Sequence, residues 1–348
     1  MATLRFPAFA TVLVLLVATC GKGKAGAPDQ APAAAQGQAQ APGAPATAGL
    51  PAETRVVIGI SVPKVAGSPL GRRLAAELLG RDAEAQQQLV ELLARCKINA
   101  EKDLDTITIG MAEGQDIALV VRGKLDEPAL VSCVKSETKA NGGSFADKTM
   151  SGHTVYAATS KGGGQKVWFT FEPDRSAIVA LSEAWLGKMI DPATPRIDGS
   201  KDIGKLLGRV SRDAAVWGTG LVPATVGQNI VKLTEGQVTQ PAQSVAFEAT
   251  FDKGLGALLR IDMASDTDAA KLATFAKGQL DFLAVAAQRF SIGPMVSKIQ
   301  IVSEQASVKL SANLDDADVK ALENALAKAA APSKNPPAEK TGNKEQSR

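Results

Sequence analysis

The feature of this chain that most restricts its fold is an alternation of apolar and polar residues in short, recurring stretches. In 106–111 every second residue is apolar, and after a turn at 113–115 the alternation returns in 117–121. Because successive side chains of a strand point to opposite faces, this period of two predicts strands with one buried face. Asp126 and Pro128 follow, and these residue types favour a helix N-cap and a first helical turn. The stretch therefore predicts strand, hairpin turn, strand and capped helix.

The same unit can be read three more times. Each pair of units is preceded by a strand and a helical segment, namely 55–61 with 70–96 and 214–220 with 225–233. This arrangement predicts an α+β fold of mostly antiparallel sheets covered by helices, with a β-α-β-β-α-β-β-α unit duplicated inside the chain. One shared sheet and two adjacent domains are both compatible with it. The further copies span 167–181, 245–263 and 299–310, and their helices start at Ser182-Glu183, Ser265-Asp266 and Asp315-Asp316.

Two segments lack any apolar periodicity. Residues 21–52 contain almost only Ala, Pro, Gly and Gln, and the end of the chain combines Pro336-Pro337 with scattered Lys and Glu. Such compositions have no face to bury that would offset the cost of ordering, so a tether and a tail are expected. The predicted organisation is a signal peptide (1–19), a lipidated cysteine with a disordered tether (20–52), two α+β halves (53–192 and 193–331) and a disordered tail (332–348).

The composition argues against nucleic-acid binding. The net charge is only +3 in 348 residues, aromatic residues make up 4%, and no block of five or more Lys or Arg occurs. Binding to DNA or RNA needs a basic footprint, usually with aromatic side chains on which bases stack. A hydrophobic fraction of 45% with 22% charged residues is ordinary for a globular protein.

The first twenty residues are typical of an export signal. Arg5 precedes an apolar run of about thirteen residues, Phe6 to Ala18, which is shorter than the roughly twenty that a bilayer core requires. The segment Val17-Ala18-Thr19-Cys20 resembles the lipobox of bacterial lipoproteins, with Thr19 where that family usually has Gly, Ala or Ser. The resemblance implies that Cys20 becomes the first mature residue and carries acyl chains such as palmitate. Gly21 stands where an inner-membrane retention aspartate would, which favours the outer membrane.

Two further cysteines lie in the globular region. Cys96 continues a helical stripe of leucines, and Cys133 lies on the helix that follows Asp126. Two interpretations stay open. The residues are either two small buried side chains or partners in a disulfide, which an oxidising compartment permits and which requires Cα atoms within about 7 Å of each other.

No motif in the chain indicates catalysis. His153 is the only histidine, it is expected in a turn, and no Gly-x-Ser-x-Gly elbow is present. The stretch Gly199 to Lys205 is the nearest match to a phosphate loop, but Leu206 follows where magnesium binding needs Ser or Thr, so a short amphipathic helix is predicted instead. Gly162-Gly163-Gly164 is interpreted as a hairpin connection.

Metal binding is not expected either. The chain lacks Cys-x-x-Cys pairs, and one histidine cannot build an ordinary zinc site. The acidic clusters 266–268 and 315–318 lack the spacing of a calcium loop and fall where helices begin. Helix capping is therefore the predicted role of these carboxylates.

The functional expectation is a lipid-anchored envelope protein whose body acts as a non-catalytic binding or structural module. It is expected to reach the membrane through its anchor, to take a protein partner in the envelope and to need no cofactor. A carrier for a lipid or other apolar ligand is the alternative, because Trp168 and Leu258 lie on the second face of their strands. An enzyme whose site has no recognisable motif is the third.

Overall fold

The alternating stretches form twelve strands in the computed structural model, which describes residues 47, 49–80, 87, 91–113, 116–288 and 293–330. The predicted signal peptide (1–19), Cys20 and the predicted tail (332–348) therefore lie outside the described residues. The strands are β1 (Thr54–Ser61), β2 (Leu104–Ala112), β3 (Ile117–Gly123), β4 (Ser144–Met150), β5 (His153–Thr159), β6 (Lys166–Phe171), β7 (Ala177–Ala180), β8 (Val216–Leu221), β9 (Ser244–Thr250), β10 (Leu255–Asp262), β11 (Ile299–Glu304) and β12 (Ser307–Leu314).

All of these strands belong to one antiparallel sheet, in the order β11-β12-β10-β9-β8-β1-β2-β3-β7-β6-β5-β4. The two halves meet where β1 pairs with β8, from Val56 opposite Gly220 to Ile60 opposite Val216. The α+β class and the antiparallel pairing are thereby confirmed. Of the two arrangements that the sequence left open, the structure has the single shared sheet.

The helices are mostly placed where the sequence predicts them. The predicted helical region 70–96 contains α2 and the helical residues 91–95, while most of 81–90 lies outside the described residues. The described helices are α1 (Val62–Gly67), α2 (Pro69–Gly80), α3 (Ala100–Asp103), α4 (Glu127–Ala140), α5 (Glu183–Ile190), α6 (Ile203–Leu207), α7 (Ala224–Leu233), α8 (Asp266–Gln288), α9 (Gly293–Val296) and α10 (Asp316–Ala330). Among the described residues, no helix combines the length and the hydropathy needed to cross a bilayer.

Short polar side chains start several helices as predicted. Asp126 Oδ1 accepts a hydrogen bond from Ala129 N at 3.1 Å, and Ser182 Oγ accepts one from Trp185 N at 3.1 Å. At α10, Asp315 Oδ1 accepts from Asp318 N, and Asp318 Oδ2 accepts from Asp315 N. Each bond satisfies a backbone N–H that has no partner within the helix, so these serine and aspartate side chains act as caps.

The hairpin β4–β5 extends the sheet where the sequence indicated only a turn around His153, which is the first residue of β5. Strand β4 forms one edge of the sheet, and because most of its side chains are exposed it shows no apolar alternation. Its two-residue loop is made by Ser151 and Gly152, both with positive φ, which matches the twist of an antiparallel hairpin. Gly162 and Gly163 also have positive φ and connect β5 to β6, as predicted.

The ordered body begins earlier in the chain than residue 53, the predicted start of the first half. Leu50 is fully buried, and Thr47 is buried as well. Leu50 fills the space above Gly110, where an added Cβ would lie 2.4 Å from a Leu50 methyl group. The predicted tether boundary at residue 52 is corrected accordingly, because one leucine in an Ala- and Pro-rich segment carries no periodic signal.

The two faces of the sheet are covered differently. The front face carries Val57 and Trp217, and it packs against α5 and α6 through Leu186 and Leu206. The back face carries the opposite residues of each strand. In the first half it packs against α1 and α3, and in the second half against α7 and α8. Helices therefore cover the back of both halves. On the front, α5 and α6 cover only the first half and the seam, which is the β1–β8 pairing where the halves meet.

Cys96 and Cys133 are joined by a disulfide, with their Cα atoms 5.4 Å apart. The bond ties α4 to the residue that follows the helical segment 91–95, and Arg95 adds an ion pair to Glu137 of α4 at 2.9 Å. Of the two interpretations that the sequence left open for these cysteines, the structure has the disulfide.

Asp268 should make the stability of the body depend on acid pH. The Thr239 backbone N–H, donating at 2.8 Å, and the hydroxyl groups of Ser265 and Thr239 hold the pKa of this buried carboxyl below its usual range. A lowered folded-state pKa means that the stabilisation is complete above the unfolded-state pKa near 4 and is lost as the pH falls through the folded-state value. Thermal melts of Asp268→Asn should show a lower midpoint than wild type at pH 7, and the gap should narrow below pH 4. The exposed neighbour Asp266, changed to Asn, serves as the control, and an equal loss in both variants would contradict the assignment.

Candidate functional site

Within the described part of the chain, no helix packs against the front of the outer strands of the second half, a surface called here the open face. It comprises the front-face side chains of β10, β12 and β11. Directly opposed residues of paired strands share a face, so one transverse row of residues shows where the cover ends. From the covered end, the row reads Ala146, Ala157, Trp168, Ala180, Ala118, Gly110, Val57, Thr219, Ala246, Arg260, Lys309 and Val302.

The character of that row changes sharply at β10. Val57, Ala118 and Ala180 are completely buried and Ala246 is nearly so, whereas Arg260 and Lys309 are partly exposed and Val302 is 40% exposed. A solvated sheet face requires polar side chains, and the sequence supplies them where no described helix packs. The open face is therefore an accessible, mainly polar surface three strands wide.

A groove of about 590 Å³ adjoins the open face at the ends of its strands. One wall is formed by Lys201, Lys205 and Arg209, which lie at intervals of four residues along α6 and its flanking turns. Residues three or four apart share one side of a helix, so this spacing directs three cations to the same wall while Ile203 and Leu207 are buried beneath. Residues Ile203–Leu207 thus form the predicted amphipathic helix.

Asp262 organises the other wall of the groove. It stands between Ser244 and Ser307 in the registers of β9–β10 and β10–β12. Both serine hydroxyls donate hydrogen bonds to its carboxylate, and Arg209 adds an ion pair at 2.9 Å. The Asp262 side chain is only 13% exposed, so this set of donors compensates a largely desolvated charge.

A second cavity of about 480 Å³ continues across the seam, since both cavities are lined by Asp202 and Leu221. Two ion pairs stand on its rim, Lys188 with Glu53 at 2.5 Å and Arg55 with Glu113 at 3.3 Å. Together the cavities form a strand-end groove that passes β2, β1, β8, β9, β10 and β12. Six strands at about 4.8 Å spacing give a length on the order of 24 Å.

Arg196 holds the seam beside this groove. Its guanidinium donates to the carbonyl oxygens of Gly49, Met189 and Asp191 at 3.1, 3.0 and 2.8 Å. The bonds join the segment before β1 to the end of α5 and to the loop between the halves. Sequence reasoning missed this residue, because nothing in its local pattern distinguishes it from a surface arginine.

Trp168 does not line a ligand site. It is 8% exposed on the front face, within the core beneath α5, and the ammonium groups of Lys148 and Lys166 lie 4.8 and 4.0 Å from its ring. Helix packing covers the Trp168 ring, so this residue does not support the carrier hypothesis. Leu258, the other residue behind the carrier hypothesis, lies half-exposed on the open face between Glu248 and Ser311.

His153 cannot act on the groove serines. Strand β5, which carries His153, is seven strand positions from β9, which carries Ser244, or roughly 34 Å at 4.8 Å per strand. The closest acidic partner of His153 is instead Glu172, with Nδ1 to Oε1 at 3.6 Å. General-base catalysis needs contact within hydrogen-bonding reach, so this histidine and these serines form no triad.

The described residues contain no cluster of three or more His, Cys, Asp or Glu side chains that could hold a metal ion. Asp262, Ser244 and Ser307 escaped the sequence analysis because they belong to three strands that are separate in sequence. The signal available in the sequence was that each of these strands begins or ends with a polar residue, which lies on the front face.

Comparison of the chain with protein-family models, with curated proteins and with solved structures gives no match.

Proposed function

We propose that this protein is an exported, lipid-anchored envelope protein whose body is a non-catalytic binding module. The observation that carries the proposal is the open face with the adjoining strand-end groove. Among the described residues, helices cover the back of both halves but leave the front of β10, β12 and β11 open, and the polar side chains there are suited to contact with a partner rather than to a hidden core.

Two features support export and anchoring. The disulfide between Cys96 and Cys133 is the kind of bond that persists in oxidising compartments such as a periplasm and is rare in the cytosol. The lipobox-like residues that end at Cys20 supply the anchor, and the outer membrane is the favoured destination. The body begins by Thr47, so about 26 residues between Cys20 and Thr47 would act as the tether.

Changing Cys20 to Ser should release the protein from the membrane. A single acyl chain binds membranes only marginally, whereas two or more hold a protein firmly, so loss of the modified thiol should move most of the protein to the soluble fraction. Fractionation with incorporation of a labelled fatty acid would measure this. The matched control is Cys133→Ser, which removes a cysteine but not the lipidation position. Unchanged membrane binding and processing of Cys20→Ser would contradict the lipoprotein assignment.

Photo-crosslinking can test the binding role. A crosslinking amino acid at Gln300 or Ser311 would lie on the open face, and one at Lys277 of α8 would lie on the back. The proposal expects a discrete adduct with an envelope protein from the open-face positions only. Adducts of equal yield from Lys277, or none from either open-face position in intact cells, would argue against a partner on this surface.

The two halves of the sheet are also proposed to descend from a duplicated unit. Setting the edge hairpin β4–β5 aside, the first half has the order β1-β2-β3-β7-β6 and the second has β8-β9-β10-β12-β11, which supports the idea. A duplication further predicts that equivalent positions of the halves share residue types across related chains more often than shuffled positions do. Absence of that excess would remove the proposal.

A further inference from the structure

We propose that the open face binds oxyanions of the phosphate type at Arg260 and Lys309. This inference rests on the proposed function, because it names the chemistry that the open face of the binding module would recognise. It depends on three observations: the register of two cationic side chains, the lack of compensation for one of them, and the character of the residues around them.

Arg260 and Lys309 are directly opposed on neighbouring strands, β10 and β12. Directly opposed residues on one face have Cβ atoms about 4.5–5.5 Å apart, and like charges in that position destabilise a sheet. Both side chains are partly exposed on a surface that no described helix covers. Two long cationic side chains rooted so close together can converge on one anion.

Among the described residues, the neighbouring carboxylates form no ion pair with Arg260 and only a long one with Lys309. Within the described part of the chain, Arg260 has no hydrogen bond or ion pair, and Lys309 has only a 4.0 Å contact to Glu304 at the sheet edge. Glu248, diagonal to Arg260, accepts a hydrogen bond from Ser211 N at 2.7 Å. Asp262 is already bound by Arg209 and two serines.

The surrounding side chains are suited to a tetrahedral oxyanion. Ser311 and Gln300 face each other next to the pair and can donate hydrogen bonds, while Leu258 and Val302 limit competing water on two sides. Arginine presents a planar fork of donors that matches phosphate oxygens, and lysine adds a point charge. The shared chemistry is a phosphate group, either free or in a phospholipid headgroup.

Titration of inorganic phosphate into full-length protein carrying Cys20→Ser would test this site without an acyl chain. Calorimetry in a chloride buffer of matched ionic strength should show saturable binding, weakened at least tenfold in Arg260→Gln, because a charge-assisted hydrogen bond of 1.5–3 kcal/mol corresponds to roughly 10- to 150-fold. Lys309→Gln should also weaken binding. Lys277→Gln makes the same charge change on the back of the sheet and should bind as tightly as the parent.

Vesicles distinguish the two sources of phosphate. Sedimentation with phosphatidylcholine vesicles, with and without phosphatidylglycerol, should show binding that depends on both cations if the headgroup is the ligand. Phosphate binding without vesicle binding would instead identify the free anion, and either result supports the site. Both Gln variants should melt no lower than the parent, since each removes one of two like charges. Failure of both probes, or equal affinity in the parent and both variants, would overturn the inference.

This result is separable from the outcome for the binding module as a whole. Phosphate binding without open-face crosslinks would leave the oxyanion site standing and remove the protein partner. Open-face crosslinks without phosphate binding would support the protein partner and remove the oxyanion site.

Discussion

Replacing Cys96 and Cys133 together by serine should lower the free energy of unfolding by about 3–4 kcal/mol. The disulfide closes a loop between residues 37 positions apart. In the chain-entropy description, such a cross-link lowers the entropy of the unfolded state by an amount that grows with the logarithm of loop length. For a globular body whose total stability is on the order of 5–15 kcal/mol, this is a large share. Denaturant unfolding of wild type and the double variant would measure the difference.

Reductant supplies the control for that experiment. It should destabilise the wild type to the level of the double variant and leave the variant unchanged. A wild type insensitive to reductant, combined with a variant that loses less than about 1 kcal/mol, would show that the bond does not constrain the chain in solution. The region expected to loosen first is α4, because the disulfide and the Arg95–Glu137 pair join it to the preceding helical segment while none of its own residues is fully buried.

The second large effect is expected at Trp217, whose replacement by alanine should cost about 3–5 kcal/mol, the usual range for truncating a buried aromatic side chain. Trp217 is 3% exposed on β8 and lies directly over Gly59 of β1, at the junction of the two halves. A Cβ added at Gly59 would stand 2.2 Å from the indole ring. The indole therefore occupies the space that a side chain at position 59 would need.

A double-mutant cycle would test this packing directly. Gly59→Ala alone should cost about 1–3 kcal/mol through overpacking, but far less in the Trp217→Ala background, where the clash is gone. Additive losses in the double variant would show that the two positions do not share that space. A matched control is Gly199→Ala, since an added Cβ there meets no atom within 4 Å.

Local patterns of the sequence were sufficient for most elements of the fold. Strands such as β2 and β3 carry the period of two on their back face, and Asp126, Ser182 and Asp315 begin helices as their residue types require. The hairpin β4–β5 escaped prediction because an edge strand with mostly exposed side chains has little apolar pattern to read. Leu50 was missed because one buried residue outside a regular element has no periodicity.

The candidate site could not be read in the same way. Asp262, Ser244 and Ser307 are brought together by strand registers that join residues 18 and 45 positions apart. Arg260 and Lys309 look like ordinary polar residues of two solvated strands until the pairing of β10 with β12 sets them opposite each other. Trp168 and Leu258 are both on second-face positions, yet one is buried under α5 and the other is half-exposed.

By itself, the sequence determined the α+β class, the antiparallel hairpins, the helix starts and the absence of a basic nucleic-acid footprint. These properties depend on residue type and on spacing within a few positions, so they can be read from the chain directly. Only the tertiary structure decided that the halves share one sheet, that the cysteines are bonded, and that the front face is covered over one half and open over the other. Those outcomes depend on which distant strands pair and on where helices pack, and contacts between residues far apart in the chain leave no local signature.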